Sequence, residues 1–158
     1  TVWVSPLMEE VLGSPRASAG MAVSFFWAFM VVGRLGVSFL AIRCRPAPMI
    51  VALAVGSALS GVLVARAPSV FSCLVGSAAS GLFMSGIFGL VVTDAARWFP
   101  QRTGAVFGLV IAGVGVGALF VPAVMGFVGG ASGLRTAMLI PSVLMLMVAG
   151  VYVSLWRR

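Results

Sequence analysis

Charged residues divide the chain into five long uncharged runs. They extend over Ala17–Gly33, Pro46–Ala65, Ala67–Thr93, Thr103–Leu134 and Thr136–Trp156. The runs are 17 to 32 residues long and consist mainly of Val, Leu, Ala, Phe, Met and Gly. About 20 apolar residues of helix cross a hydrocarbon core of roughly 30 Å, whereas a helix that faces water keeps one polar side. The pattern predicts an all-α fold, a polytopic transmembrane helical bundle embedded in a lipid bilayer.

Polar turns rich in Arg, Pro and Gly separate the runs and set the limits of the predicted spans. Complete spans are expected at about residues 19–42, 47–64, 70–93, 104–128 and 137–155. Residues 1–7 are typical of the last turns of a helix that starts upstream, and the chain begins with Thr rather than Met. We therefore expect one transmembrane unit whose upstream part is missing from this sequence.

Composition excludes most other classes of protein. Hydrophobic residues make up 61% of the chain and charged residues 8%, whereas soluble domains carry about 25% charged residues. The mean hydropathy is +1.20. A net charge of +7 could indicate nucleic-acid binding, but the basic residues are all Arg and lie singly or in pairs between apolar runs. Membrane topology explains that distribution better than phosphate binding does, so no nucleic-acid partner is expected.

The arginines also predict the orientation of the bundle. One side receives Arg34, Arg43, Arg45, Arg97, Arg102, Arg157 and Arg158, and the other receives Arg16, Arg66 and Arg135 together with Glu9 and Glu10. Short cytoplasmic loops carry the excess of positive charge. The first side is therefore predicted to be cytoplasmic, with the C-terminus inside and the protein integral to the cell membrane as a multi-pass chain.

Small residues recur at four-residue spacing and predict close helix packing. In the fourth complete span the candidate packing residues are Gly104, Gly108, Gly113, Gly117, Pro122 and Gly126. Membrane helices associate through close backbone approach because lipid offers no hydrophobic driving force between them. Tight packing within the bundle is one interpretation of these residues. Sliding or bending of the span during transport, with Pro122 loosening its hydrogen-bond ladder, is the other.

Groups that carry chemistry are scarce. The chain has no His, and none of its three carboxylates lies near the predicted middle of the membrane. It therefore lacks the residues for a zinc site or a catalytic dyad, and we expect no metal, no cofactor and no enzymatic activity. Polar groups inside the spans tend to face the bundle interior. The candidates for lining a central cavity are Trp3, Ser24, Trp27, Ser80, Met84 and Phe88. Hydroxyls bonded to their own helix, and aromatic rings in ordinary packing, are the alternatives.

Arg34 is the most deeply placed charge of the sequence. It lies about seven residues from the predicted cytoplasmic end of its span, or roughly 10 Å. That depth favours a partner, and Asp94 is the only acid expected on the same side. A side chain that extends to the membrane surface is the alternative. Asp94 and Arg97 are one helical turn apart and can pair locally. The three residues are candidates for a cytoplasmic gate.

Two segments resemble the major facilitator superfamily. Residues 26–36 (FWAFMVVGRLG), with Arg43 and Arg45 after them, resemble its eighth helix and the following loop, in a spacing closest to fucose-permease-like members. Residues 94–108 (DAARWFPQRTGAVFG) resemble its loop between helices ten and eleven, and the glycine-proline pattern of residues 113–126 is similar to its eleventh helix. The resemblance covers nearly the whole chain, from the end of helix seven to helix twelve.

The resemblance implies the C-terminal half of a twelve-helix secondary transporter that moves a small solute by alternating access. Its partner would be the N-terminal six-helix half of the same chain, and Arg34 would approach Asp94 from the neighbouring helix. Two features depart from the family: Gly89 stands where many members have Pro, and the usual acid before Arg43 is absent. In-membrane amides, which sugar sites generally use, are also missing. A receptor or assembly protein without transport activity is the alternative function, and a membrane enzyme ranks third.

Overall fold

The structure, a computed structural model, describes residues 3–156, and this part of the chain is helical without strands. The helices are α1 (Val4–Pro6), α2 (Arg16–Ala41), α3 (Pro46–Ala65), α4 (Val70–Met84), α5 (Ile87–Trp98), α6 (Thr103–Ser132), α7 (Leu134–Ala137) and α8 (Ile140–Trp156). A π-helical turn, Leu7–Val11, continues α1, and a 3-10 turn, Pro100–Arg102, precedes α6. Thr1 and Val2 of the predicted first segment, and Arg157 and Arg158 of the arginine count, lie outside the described residues.

Five helical segments of the described chain are long and apolar enough to cross a membrane. They are Arg16–Ala41, Pro46–Ala65, Val70–Trp98, Pro100–Ser132 and Leu134–Leu155. The prediction of an all-α transmembrane bundle is therefore confirmed. We name the two ends of the bundle by their arginines: the Arg66 end holds Arg16, Arg66 and Arg135, and the Arg43 end is the opposite one.

Local sequence signals explain where several helices begin and end. Pro46 occupies the first turn of α3, where its missing N–H removes no hydrogen bond. Ser69 and Ser72 form a capping box at the start of α4, with the Ser72 amide donating to Ser69 Oγ at 3.3 Å. Gly133 has φ +88° and ends α6. α6 thus extends four residues past the predicted limit of 128, because backbone groups in an apolar setting keep their helical hydrogen bonds.

The third predicted span, residues 70–93, contains a break that the sequence pattern did not predict. α4 ends at Met84, α5 begins at Ile87, and Ser85 and Gly86 form a turn between them. Ser85 Oγ donates to the carbonyl of Leu82 at 2.7 Å, a local bond that competes with the helix ladder. Gly86 adds a residue of low helix propensity. The carbonyl of Ser85 instead accepts a long bond, 3.4 Å, from Nε of Arg34 on α2.

Glycines bring α2 and α4 into close contact. A Cβ at Gly33 of α2 would collide with the carbonyl oxygen of Leu82 on α4, and a Cβ at Gly81 of α4 would collide with the carbonyl oxygen of Phe26 on α2. Both contacts involve backbone, which a rotamer change cannot relieve. Close backbone approach is the main source of helix association in lipid, so this reciprocal pair of glycines is a principal packing device of the bundle.

The glycines of α6 have few neighbours in the described chain. A Cβ at Gly104, Gly108, Gly113 or Gly117 would meet no atom of the described chain within 4 Å, and one at Gly126 would only touch the ring of Trp3 at 3.4 Å. The spacing of small residues shows that close approach is possible but does not identify the neighbour. Within the described residues, the backbone of α6 lies close mainly to α5, α7 and the turn before it, and most of its glycine face meets no other helix.

The two ends of the bundle are packed by different sets of helices. A core at the Arg66 end joins Leu7, Ala22, Val64, Met125 and Ala137, with further buried neighbours from the same helices. Toward the Arg43 end, two smaller clusters are built on α3 and α5, with α8 and α2 packed against them, and α6 contributes no residue to either. α6 is therefore held in the core only near its Ser132 end.

Candidate solute cavity

A cavity of about 510 Å³ lies inside the bundle, between α1, α2, α3, α4, α6 and α8. Ser77 and Trp27, on its wall, are seven and eleven residues from the first residues of α4 and α2. At 1.5 Å per residue these positions are roughly 10 and 16 Å below the Arg66 end. The cavity therefore extends from beneath the Arg66-end core toward the middle of the predicted membrane span.

The wall of this cavity is mainly apolar and carries no charged residue among the described ones. Five of the side chains are methionines: Met30, Met84, Met125, Met138 and Met145. The wall also carries aromatic rings, from Trp3, Phe26 and Trp27, and hydroxyls, from Ser57, Ser77, Ser80 and Ser142, and aliphatic, Gly and Pro residues form the rest of it. Methionine side chains are flexible and polarizable, so they adapt to bound molecules of different shapes.

Four of the six predicted cavity residues lie on this wall. They are Trp3, Trp27, Ser80 and Met84, which come from three different helical segments. Trp27 is 55% exposed, so a large part of its ring remains free to meet a solute. Ser80 Oγ donates to Ser60 Oγ on α3 at 3.0 Å, and Ser60 Oγ donates to the carbonyl of Ser57 at 2.9 Å. Ser80 thus joins α3 to α4 at the edge of the cavity.

Ser24 and Phe88 are not on the cavity wall. The structure gives a separate explanation for the position of each residue. Ser24 is exposed, and its hydroxyl donates to the Gly20 carbonyl at 3.1 Å, which is the backbone-bonded alternative for a membrane hydroxyl. The prediction for Phe88, one turn after Met84, assumed a continuous helix. The break at Ser85–Gly86 interrupts that register, and the Phe88 ring is exposed outside the cavity.

Three polar atoms of the cavity residues are buried without a hydrogen-bond partner in the described chain: Trp3 Nε1, Ser77 Oγ and Ser142 Oγ. Ser77 and Ser142 are 2% and 3% exposed. Buried polar groups are normally satisfied, and an unsatisfied one costs about 1–3 kcal/mol. Ser142 was not among the residues predicted from the sequence. The available signal was a hydroxyl inside an otherwise apolar span, just after Pro141.

The predicted gate residues do not form ion pairs in this structure. Among the described residues, the ion pair within 4.0 Å joins Arg16 Nε to Glu9 Oε2 at 3.5 Å. Arg34 reaches the Ser85 carbonyl, and Asp94 lies nine residues further along the chain, roughly 13 Å at helical rise. That separation explains why the guanidinium does not meet the carboxylate here. Groups of three metal-ligating side chains are also absent from the described chain.

These features define an integral membrane protein of several spanning helices with an open, mainly apolar cavity that carries a few polar groups. A family model described as Major Facilitator Superfamily matches residues 1–158. The chain belongs to the major facilitator superfamily, as its resemblance predicted, and its function is in general of the transporter type. Members of this family are transporters rather than enzymes. Searches of curated proteins and of solved structures gave no significant match.

Proposed function

We propose that this chain is the C-terminal half of a twelve-helix secondary active transporter and that its cavity is one half of the path of a small solute. The observation that carries the proposal is the cavity of about 510 Å³ within the spanning helices, a volume typical of small-molecule sites. Alternating access, by rocking of two six-helix halves around a central site, is the mechanism. The arginine distribution favours a location in the cell membrane with a cytoplasmic C-terminus.

The surface of α6 supports the proposal that a further six-helix unit packs against this chain. Gly104, Gly108 and Gly113 meet nothing in the described chain, and large apolar side chains such as Leu109 and Leu119 are about three-quarters exposed. A glycine face of this kind permits another helix to approach closely. We assign the N-terminal six-helix half as the unit that covers it. The likeness of residues 26–36 to fucose-permease-like members remains a prediction about the subfamily.

Residues of α6 and α8 offer a matched test. Ala118 of α6 lines the cavity, whereas Met147 of α8 is 63% exposed and is not on the cavity wall. In the full-length protein, reconstituted in proteoliposomes, uptake of a panel of small solutes is measured by mass spectrometry. We expect saturable uptake of at least one solute. Ala118→Trp should lower it at least about tenfold because the indole fills the path, and Met147→Trp should change it less than about twofold.

Two results would contradict this proposal. Saturable solute binding without flux under any imposed gradient would indicate the receptor or assembly function instead. Equal loss of uptake in both variants, with both proteins monodisperse and correctly inserted, would show that the cavity is not the path.

A further inference from the structure

We propose that Arg34 is a carboxylate-binding residue at the edge of the cavity nearest the Arg43 end, where its guanidinium takes a carboxylate from outside the described chain. The carboxylate belongs either to a solute in the cavity or to the upstream six-helix half, and two measurements separate these sources. Binding of this group does not require transport, so the inference goes beyond the proposed function. Only the second source rests on the proposed twelve-helix architecture.

The guanidinium of Arg34 lies well inside a spanning helix. Arg34 is seven residues before the end of α2, or roughly 10 Å along the helix. The turn between α4 and α5 lies at the same level, because a Cβ at Gly33 would collide with Ser85 Oγ and a Cβ at Gly86 would collide with the next turn of α2, at Val37. Arg34 Nε donates to the Ser85 carbonyl in this turn. The guanidinium is therefore held at its own depth and does not extend to the membrane surface.

The guanidinium also has hydrogen-bond donors that the described chain does not use. Arginine carries five N–H groups in a planar fork, and among the described residues the side chain of Arg34 bonds through Nε, to the Ser85 carbonyl at 3.4 Å. With Nε engaged, the edge formed by Nη1 and Nη2 remains available. The two parallel N–H groups of that edge match the two oxygens of a carboxylate in a bidentate pair.

The acids of the described chain do not meet this edge. Glu9 and Glu10 lie in the segment before α2, at the opposite end of the helix. Asp94 is nine residues beyond Ser85, roughly 13 Å at helical rise, and Arg34 has no ion pair within 4.0 Å among the described residues. Arg34 is nevertheless exposed, and charged groups within spanning helices pair or face water rather than lipid. We therefore assign its counter-charge to a group outside the described residues.

A group inside the cavity can reach this guanidinium. Trp27, Met30 and Arg34 follow one another at three- and four-residue steps, so they share one face of α2. Trp27 and Met30 line the cavity, and so does Met84, which directly precedes the bonded Ser85. Arg34 thus lies one helical turn beyond the wall, toward the Arg43 end. A carboxylate on a solute, or on a helix that covers the open side of the cavity, approaches it from there.

The first measurement is the ligand-dependent shift in the thermal unfolding temperature of the full-length protein in detergent at neutral pH. The probes are acetate and benzoate, each compared at equal ionic strength with its uncharged amide, acetamide or benzamide. If the carboxylate belongs to a solute, at least one carboxylate probe should stabilise the protein saturably and bind at least about tenfold more tightly than its amide, because hydrogen bonds to charged groups are the stronger ones. Arg34→Lys keeps the charge but loses the planar fork, and should weaken this binding about tenfold. Arg43→Lys, in the exposed turn after α2, should change it less than about twofold.

The second measurement uses the fact that residues 1–158 contain no lysine. Arg34→Lys therefore introduces a single side-chain amine into this part of the full-length protein. A membrane-soluble carbodiimide joins such an amine to an adjacent carboxyl group as an amide, and the carbodiimide leaves as its urea. If the carboxylate belongs to the upstream half, peptide mass spectrometry should show residue 34 linked to an Asp or Glu upstream of residue 1. Arg43→Lys should not form a link to that same carboxyl group.

Each outcome decides for or against the site. Saturable carboxylate binding that Arg34→Lys weakens assigns the group to a solute, and a link from residue 34 to the upstream half without such binding assigns it to the protein. A link to Asp94 places the guanidinium in the predicted gate and overturns the proposal. Carboxylate binding that Arg34→Lys leaves unchanged, without a link to the upstream half, also overturns it, as does the absence of both signals. Binding or linking of the expected kind in a protein without flux of any solute supports the site and rejects transport.

Discussion

The close contact of α2 with α4 makes a sharp prediction about Gly81→Ala. The new Cβ would collide with the backbone carbonyl oxygen of Phe26, which cannot turn away as a side chain could. To restore ordinary contact the two helices must separate by roughly 1 Å, and a gap of 0.5–1 Å forfeits about a quarter to a half of the dispersion energy of each contact it opens. Overpacking of this kind costs about 1–3 kcal/mol.

The magnitude can be compared with the opposing effect of helix propensity. Alanine is favoured over glycine inside a helix by about 1 kcal/mol, so Gly81→Ala loses stability only if the collision dominates. A matched control is Gly150→Ala on α8, where the added Cβ meets nothing within 4 Å and the propensity effect acts alone. We expect Gly81→Ala to be destabilising by about 2 kcal/mol and Gly150→Ala to be neutral or slightly stabilising.

The assay is thermal unfolding of the full-length protein in detergent, followed by the fraction that remains monodisperse after heating. The shift in unfolding temperature per kcal/mol falls with protein size and is about 2–4 °C at 150–250 residues, so Gly81→Ala should unfold earlier than the parent by up to about 4–8 °C. An unfolding temperature of Gly81→Ala equal to or above that of the parent protein would refute the reasoning. Equal losses in Gly81→Ala and Gly150→Ala would assign the effect to glycine flexibility rather than to helix contact.

Three further predictions concern the site and the topology. Trp27→Ala should raise the apparent KM or abolish flux, whereas Phe88→Ala should leave uptake kinetics near those of the parent, because only the first ring lines the cavity; equal effects would contradict this placement. If the gate forms in another conformational state, Asp94→Asn should speed labelling of a cavity cysteine from the cytoplasm, and unchanged labelling would leave the charge with a role in topology alone. Single cysteines at Ser132 and Gln101, in a cysteine-free background, should label from outside and inside respectively, and the reverse pattern would reject the orientation.

The uncharged runs were sufficient to predict the helical membrane bundle, because the need to satisfy backbone groups in lipid leaves few alternatives. They could not reveal the break at Ser85–Gly86. Two contacts accompany the break: the Ser85 hydroxyl donates to the Leu82 carbonyl, and Arg34 approaches the Ser85 carbonyl from another helix. The break also explains why Met84 lies on the cavity wall in this structure and Phe88, four residues later, does not.

Helix packing and the cavity were predicted less completely, because both depend on contacts between helices that are distant in sequence. A glycine pattern such as Gly104 and Gly108 reports a small helix surface, but the partner of that surface is a tertiary property. The contacts at Gly33 and Gly81 depend on how α2 and α4 cross. Likewise, Ser142 became a candidate only once its hydroxyl was seen to be buried without a partner among the described residues. The spacing of residues along the sequence does not show which helices meet or which hydroxyls are left without a partner.

The attachment of α6 near its Ser132 end has a mechanical consequence. Pro122, where the missing N–H allows bending, lies 19 positions after Thr103, or roughly 28 Å along the helix at 1.5 Å per residue. A tilt of about 10° at that point would swing the far tip by about 5 Å. The Thr103 end of α6 is connected to α5 by the turn Pro100–Arg102, so a movement of that end would displace α5. At its other end α5 follows the Ser85–Gly86 turn, where the Ser85 carbonyl accepts a hydrogen bond from Arg34 of α2. A tilt of α6 would therefore change the distance between the Arg34 guanidinium and the Ser85 carbonyl.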